Sequence, residues 1–304
     1  MTISVVHTLT LGITLFGVLA SAAGPVPCTF SCSFDGSLDP QISAGSAMAM
    51  ARQEAFTTGR VGKALAVDAP SQAAAYLASH NLPKDRGSCE FWIQPRWEAG
   101  DQKRQGFVCD EIEGAKVGIN TIWIWKIGSS LRFDVRDPED HYICTSIAAW
   151  EKGSWHHVVA NWDVGRGTSL YVDGEMKGER ESTWISRAGL RFLVGRRKRS
   201  SEAAEACIDE LRIYARPLTA DEVALAYAGT LLIAPAPKPA HSPSVSAVIS
   251  ERREPKLLFH LPFDGTCTAA QAGGNGEPVL QEGVDFTPGV NGQAGVFVAG
   301  AALK

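Results

Sequence analysis

Three carboxylates crowd into Asp110-Glu111-Ile112-Glu113, and their spacing asks whether two of them could work as an acid–base pair. On an extended strand successive side chains alternate, so Cys109, Glu111 and Glu113 share one face and Asp110 points to the other. Two acids two residues apart stand near the ~5–5.5 Å that retaining glycoside hydrolysis requires. Without catalysis the same acids form a solvated strand. Asp35, in Phe34-Asp35-Gly36, and Asp209, in Ile208-Asp209-Glu210, offer the hard oxygen ligands that suit calcium in an extracellular module. Without a metal, Asp35 closes an Asx turn with Gly36 and Asp209 accepts hydrogen bonds from loop amides. His156 and His157 are adjacent, so a strand sends them to opposite faces and denies them a shared metal or acid–base site.

Aromatic and basic side chains carry the binding options. Tryptophans 92, 123, 125, 150, 155, 162 and 184 read mostly as core, with Trp123 and Trp125 on one face; Trp97, just past a strand end in a polar loop, is the expected exposed stacking platform. Arg196-Arg197-Lys198-Arg199 is a compact basic run. It could grip a sulfated or carboxylated polysaccharide through charge-assisted hydrogen bonds, or invite proteolysis, or be a solvated loop tip. The whole chain has a formal net charge of -4 with 20% charged residues, so neither nucleic acid nor an anionic membrane is an expected partner.

Leu9 to Ala20 form an apolar run ending in Ala20-Ser21-Ala22-Ala23, which reads as a signal peptide over residues 1–23, although its leading segment holds His7 and no Lys or Arg. The expected location is secreted or extracytoplasmic, in a periplasm or at a cell surface. The run is short for a span, and a membrane enters only if the segment is an uncleaved anchor. Export makes the seven cysteines disulfide candidates: Cys28, Cys32, Cys89, Cys109, Cys144 and Cys207 in one set, with connectivity open, and Cys267 apart from them. Cys28 and Cys32 cannot bridge each other across four strand steps, ~13 Å, and the lack of a Cys-x-x-Cys pair disfavours zinc.

The elements that must position these groups are short and two-faced. Strands are expected at Thr29–Phe34, Ala64–Val67, Cys89–Gln94, Gly106–Ile112, Ile122–Ile127, Leu131–Val135, His141–Ala148, His156–Trp162, Ser169–Val172, Leu190–Val194 and Ile208–Tyr214. Asp173-Gly174 is a two-residue hairpin turn, and Thr219 to Ala228 a helix capped by Thr219 and Glu222 and ended by Gly229. The pattern is an all-β, two-sheet antiparallel sandwich over residues 28–229 with one short C-terminal helix. Residues 230–256, Pro-rich from Ala234, read as a linker. Beyond it, Phe263-Asp264-Gly265 echoes Phe34-Asp35-Gly36, and Phe286 to Ala294 echoes Phe56 to Ala64, so residues 257–304 are expected to start a second, incomplete copy.

Taken in order, Phe34-Asp35-Gly36, Phe56 to Ala64, Phe91-Trp92-Ile93-Gln94-Pro95, Gly153-Ser154-Trp155-His156-His157-Val158-Val159, Leu170-Tyr171-Val172-Asp173-Gly174 and Ile208 to Tyr214 followed by Arg216 to Val223 resemble the laminin G-like jelly-roll family of the concanavalin A-like lectin and glucanase superfamily. The resemblance covers Cys28 to Ala228. It implies a jelly roll, a frequent structural calcium at the rim, here through Asp35 and Asp209, and a non-catalytic module that binds an extracellular glycan or glycoprotein; Trp97 and residues 196–199, picked out by their own chemistry, are the expected contacts. Protein–protein adhesion is one alternative. Another is a laminarinase-type hydrolase using Glu111 and Glu113, although such enzymes carry three in-phase acids where this chain has Cys109, Glu111 and Glu113. A catalytic domain beyond Lys304 is compatible with either binding reading.

Overall fold

Alternating apolar and polar residues commit a strand to one buried and one outer face, and this chain repeats that pattern until two sheets close on a shared core. The computed structural model describes residues 24–111, 122–135, 142–181, 189–197 and 203–237 of a first compact unit, Met1–Ala240, and only the strands at 259–260, 271–272, 281–288 and 293–303 of a second, His241–Lys304. The expected signal peptide lies outside the described residues.

In chain order the first unit runs β1 (Val26–Cys32), β2 (Ile42–Ser43), β3 (Ala49–Met50), β4 (Phe56–Thr58), β5 (Lys63–Val67), β6 (Ala74–Leu77), β7 (Arg86–Pro95), β8 (Arg104–Glu111), β9 (Ile122–Ile127), β10 (Ser130–Val135) and β11 (Tyr142–Ser146). It continues through β12 (His156–Asp163), β13 (Gly167–Val172), β14 (Glu175–Arg180), β15 (Arg191–Val194), β16 (Ala206–Tyr214), helix α1 (Ala220–Tyr227) and β17 (Ile233–Pro235). One sheet has ten strands, ordered β14-β13-β12-β7-β16-β1-β17 with β2, β4 and β5 attached at its side; the other has seven, ordered β11-β10-β9-β8-β15-β6-β3. Pairing is antiparallel except where β17 runs parallel to β1. This is the expected all-β jelly-roll sandwich.

Between the sheets lie Phe30, Leu65, Tyr76, Phe91, Ile93, Phe107, Ile124, Phe133, Val158, Trp162, Phe192 and Ile208, all essentially solvent-free. Burying each large apolar side chain contributes about 1.5–3 kcal/mol before conformational entropy is set against it. Phe30 meets the rings of Tyr76 and Phe192 edge-on at 4.7 and 5.2 Å, tying β1 to β6 and β15 across the sandwich.

Strong local signals form as read. Asp173 and Gly174 take φ +53° and +81° in the β13–β14 turn. At α1, the Glu222 amide donates to Thr219 Oγ1 and the Thr219 amide to Glu222 Oε2, with Gly229 at φ +72° past the end. Strands outside the expected set have physical reasons for escaping it: β2, β3 and β4 are only two or three residues long, β6 is alanine-rich and lacks β-branched residues, and β14 is a charged, exposed edge. The start of the expected linker is also structured, since β17 pairs with β1 and its Pro235 is tolerated at a sheet edge.

The disulfide expectation is corrected: Cys28, Cys32, Cys89, Cys109, Cys144 and Cys207 are all free thiols. The sandwich keeps them apart. Cys28 and Cys89 flank β16 on opposite sides, about two strand spacings or ~10 Å apart, beyond the ~7 Å reach of a bridge. Cys32 packs in the core, Cys109 on the outer face of the seven-stranded sheet, and Cys144 is exposed on its edge strand. Burial pushes the Cys28 and Cys32 thiols up to about 11 and that of Cys109 up to about 12.

In the second unit, β18 (Phe259–His260) pairs with β19 (Gln271–Ala272), and β20 (Gln281–Pro288) with β21 (Gln293–Leu303). The β20–β21 register sets Phe286, Thr287 and Pro288 opposite Gly295, Ala294 and Gln293, as β4–β5 sets Phe56, Thr57 and Thr58 opposite Leu65, Ala64 and Lys63.

Candidate functional site

Strand phase brings charge and aromatic rings together on the outer face of the seven-stranded sheet. In β9, Ile122 and Ile124 enter the core while Trp123 and Trp125 turn outward; in β10, Leu131, Phe133 and Val135 enter and Arg132 and Asp134 turn outward. A bulge between Gly106 and Val108 sets the phase of β8, so that Cys109 joins the two indoles. The Trp125 indole N–H and the Arg132 Nε–H donate to the two oxygens of Asp134, one each. The Arg132 guanidinium lies 3.6 Å from the Tyr142 ring centre and 5.6 Å from that of Trp125. Arg197 covers both indoles, 4.2 Å from Trp125 and 5.0 Å from Trp123. Trp123 donates to the Asp110 carbonyl at 3.0 Å, and Arg191 pairs with Glu111 beside it.

Asp134 is fully buried and each indole only 3% exposed, yet these groups sit on the side of the sheet away from the core. Buried charges are costly unless paired, and here the pairing is with planar guanidinium and indole groups. Indole faces accept apolar C–H surfaces, and an Arg–Asp pair can exchange hydrogen bonds with vicinal hydroxyls.

The outer face of the ten-stranded sheet holds a second buried network. Glu90, fully enclosed, receives hydrogen bonds from Tyr214 and Arg212, the latter at 3.2 Å, and faces His157 Nε2 at 3.2 Å. Burial alone would raise its carboxyl, but the His157 contact and the Arg212 charge outweigh it and hold Glu90 below the usual carboxylate range. Trp92 stacks on Tyr227 of α1, and Val223 of the helix packs with Cys28, Val159, Tyr171 and Tyr214.

Several residues picked out by sequence land elsewhere. Trp97 is not an exposed platform: it is 4% exposed, stacked 5.9 Å from Phe107, with the Lys126 ammonium 5.3 Å from its ring. The loop folds back over the sandwich because a large apolar ring gains more by burial than a short polar stretch loses. Arg197 is no solvated loop tip, being spread on the indoles, and Arg196 pairs with Ala203 in an isolated bridge; Lys198 and Arg199 lie outside the described residues.

Asp35 and Asp209 grip one turn from two sides. Asp209 Oδ2 accepts from the Arg60 and Val61 amides at 2.8 and 3.1 Å and its Oδ1 from Glu210 at 2.8 Å, while Asp35 Oδ1 accepts from Lys63 at 2.7 Å. Gly62, at φ +55°, is required there, since a Cβ would come within 1.9 Å of the Asp35 carboxylate. Amide donors thus meet three of the four carboxylate oxygens, and among the described residues no group of three or more His, Cys, Asp or Glu could hold a metal. Asp35 thus binds across the β5 turn rather than closing on Gly36.

The strand phase of the acids holds: Glu111 is outward with Arg191, while Asp110 stands opposite core-facing Phe192. Glu113 lies outside the described residues. His156 and His157 part as expected, His156 stacking 4.2 Å from Trp150 and bonding Asp173, His157 facing Glu90. Arg132, Asp134 and Glu90 were missed, although the outward phase of residues 132 and 134 beside Trp123 and Trp125 was there to be seen.

This fold is a two-sheet jelly roll. A family model described as the concanavalin A-like lectin/glucanases superfamily matches residues 70–224, about half of the sequence, and the chain belongs to that superfamily. No curated protein matches by sequence. The structure is similar to the binding domain of botulinum neurotoxin serotype G, with TM-score 0.54 and 14% identity over 66% of this chain and 50% of that one. It is also similar to domain 4 of an extracellular GH43 arabinanase from Geobacillus stearothermophilus, in complex with arabinotriose (TM-score 0.52, 19% identity, 66% and 97% covered). A third is the binding domain of botulinum neurotoxin DC in complex with SialylT (0.53, 12%, 66% and 50%). This chain spans about half the length of those neurotoxin domains, and at such identities the likeness is one of fold.

Proposed function

We propose that the protein is an exported, non-catalytic glycan-recognition module whose ligand docks on the outer face of the seven-stranded sheet. The observation that carries this reading is the Trp123–Trp125 pair, floored by the Asp134–Arg132 contact and covered by Arg197. Among the described residues Arg197 is the side chain stacked on both indoles, and Tyr142, 40% exposed, stands at the rim. Two of the structural neighbours are complexes with saccharide ligands, which supports a glycan as the class of partner. Export rests on the apolar run ending at Ala23; among the described residues no helix is long and apolar enough to cross a membrane. The shared register of β4–β5 and β20–β21 supports a tandem arrangement in which residues 257–304 begin a second module.

Glycan microarray binding by the full chain tests the reading. Binding is expected, and Trp125→Phe, which removes the indole donor to Asp134, should weaken it at least tenfold with the fold intact. An array blank for wild type, with a protein recovered by pull-down, would favour adhesion instead. The catalytic alternative follows from Glu111 lying on the same face as the indoles: β-glucan hydrolysis lost in Glu111→Gln or Glu113→Gln would establish it.

A further inference from the structure

Gly106 of β8 stands opposite Trp125 in the β8–β9 register, as Cys109 stands opposite Trp123. Residues directly opposite in an antiparallel pair share a face, so Gly106 leaves the outward place beside Trp125 without a side chain. The chain leaving β15 fills that place. The Gly195 amide donates to the Phe107 carbonyl at 2.8 Å, the Gly195 carbonyl accepts from the Ala204 amide at 2.8 Å, and Arg196 bridges to Ala203, which pins the segment across β8. Gly195 turns it there at φ +91°, where a Cβ would come within 2.7 Å of Val67 Cγ2. Two residues on, the Arg197 guanidinium lies 4.2 Å from the Trp125 ring centre and 5.0 Å from that of Trp123, nearer the indole that faces Gly106.

A side chain at Gly106 does not fit beneath this crossing. Its Cβ would stand 2.5 Å from Arg197 Cγ and 2.6 Å from both the Arg196 carbonyl carbon and the Arg197 amide nitrogen. These three are the nearest atoms, and none belongs to Trp125. Two of them are backbone, so turning the Arg197 side chain alone makes no room. β8 itself is held by β9 on one side and β15 on the other, so the Arg196–Arg197 segment must yield and carry the guanidinium with it. The ring faces that Arg197 occupies are the faces a sugar's C–H surface would use, and one π-face takes one partner at a time.

Resting on the glycan reading above, we infer that Gly106 is a positioning residue of that site: it seats Arg197 on the indoles, where the arginine competes with a bound sugar. Near-ultraviolet circular dichroism and glycan-microarray binding of the full chain test this in Gly106→Ala, Arg197→Ala and the double variant. Gly106→Ala changes the indole band as Arg197→Ala does, and the double variant matches Arg197→Ala, because a glycine that acts through Arg197 then has nothing to act on. Array signals rise about threefold or more in all three, the cation–π contact being what a sugar no longer has to displace. The melting temperature falls with Gly106→Ala in both backgrounds, since the clash with the Arg196–Arg197 backbone remains. A merely structural glycine would give that fall without the shared indole band or the gain in binding.

An indole band in Gly106→Ala like that of wild type, or one that moves as far again in the Arg197→Ala background, overturns the placement. Array signals that stay level or fall in Arg197→Ala overturn the competition, and this variant decides the outcome if Gly106→Ala does not fold. An array blank for wild type and every variant removes the glycan reading and the competition with it, whereas the indole band of Gly106→Ala still decides the placement.

Discussion

The two outer faces of this sandwich solve the same problem with different partners. Each bears ionised groups out of water on the side away from the core. Under α1, Glu90 is matched by Arg212, Tyr214 and His157, and the helix completes the burial with Tyr227 on Trp92 and Val223 among the aliphatics. On the seven-stranded sheet, Asp134 is matched by Arg132 and an indole N–H, and among the described residues the side chain lying over the two flat rings is that of Arg197. A face closed by a packed helix is structural. One closed by a guanidinium on indoles can exchange that cover for another planar or polyhydroxylated partner, because stacking is undirected in its plane and an arginine side chain moves without unfolding a helix.

The comparison breaks first at Glu90. Removing it in Glu90→Ala strands Arg212, His157 and Tyr214 without their shared acceptor, and a loss of about 3–5 kcal/mol is expected in urea unfolding. A loss below about 1 kcal/mol would mean that the helix-covered network is not what stabilises this face. The same carboxylate gives the pH dependence its sign. Its folded value is depressed, so its stabilisation is complete above the ordinary carboxylate value of 4.5 and fades as the pH falls through the folded value. Melting temperature should therefore drop in acid for wild type and drop less for Glu90→Gln; parallel curves would refute this.

A smaller effect is expected at the turn gripped by Asp209. Asp209→Ala leaves the Arg60, Val61 and Glu210 amides without their acceptor and should cost about 1–3 kcal/mol, equally with and without a chelator. A chelator-dependent difference would instead put calcium at the turn. The smallest effect is kinetic and separates the two faces by their thiols. Cys144 is exposed and should react with a disulfide reagent in the folded protein; Cys28, under α1, and Cys109, beside the indoles, are enclosed. If the indole cover is the more easily moved of the two, Cys109 labels ahead of Cys28, and the reverse order would sink that view.

Much of the framework was readable from residue order. Apart from the charged edge β14, the strands from Cys89 to Tyr214 declare themselves by alternation, the β13–β14 turn by Asp173-Gly174, and the helix by Thr219 and Glu222, all signals confined to a few neighbouring residues. The site was half readable: the shared face of Trp123 and Trp125 follows from their spacing, whereas their contact with Arg197 joins residues more than seventy positions apart. Trp97 misled because a polar loop says nothing about whether it folds back over the sandwich.

Short-range pattern is enough to specify a two-faced strand, a capped helix and a tight turn, since each rests on backbone preferences and on which side of its own strand a residue lies. It took the folded chain to assign neighbours. Six thiols were kept from one another by strand order, Asp35 and Asp209 were turned onto the amides of a single turn, and Glu90 was joined to Arg212. Alternation records inside against outside; which strand lies alongside, and so which charge meets which ring, is settled only when distant segments pack.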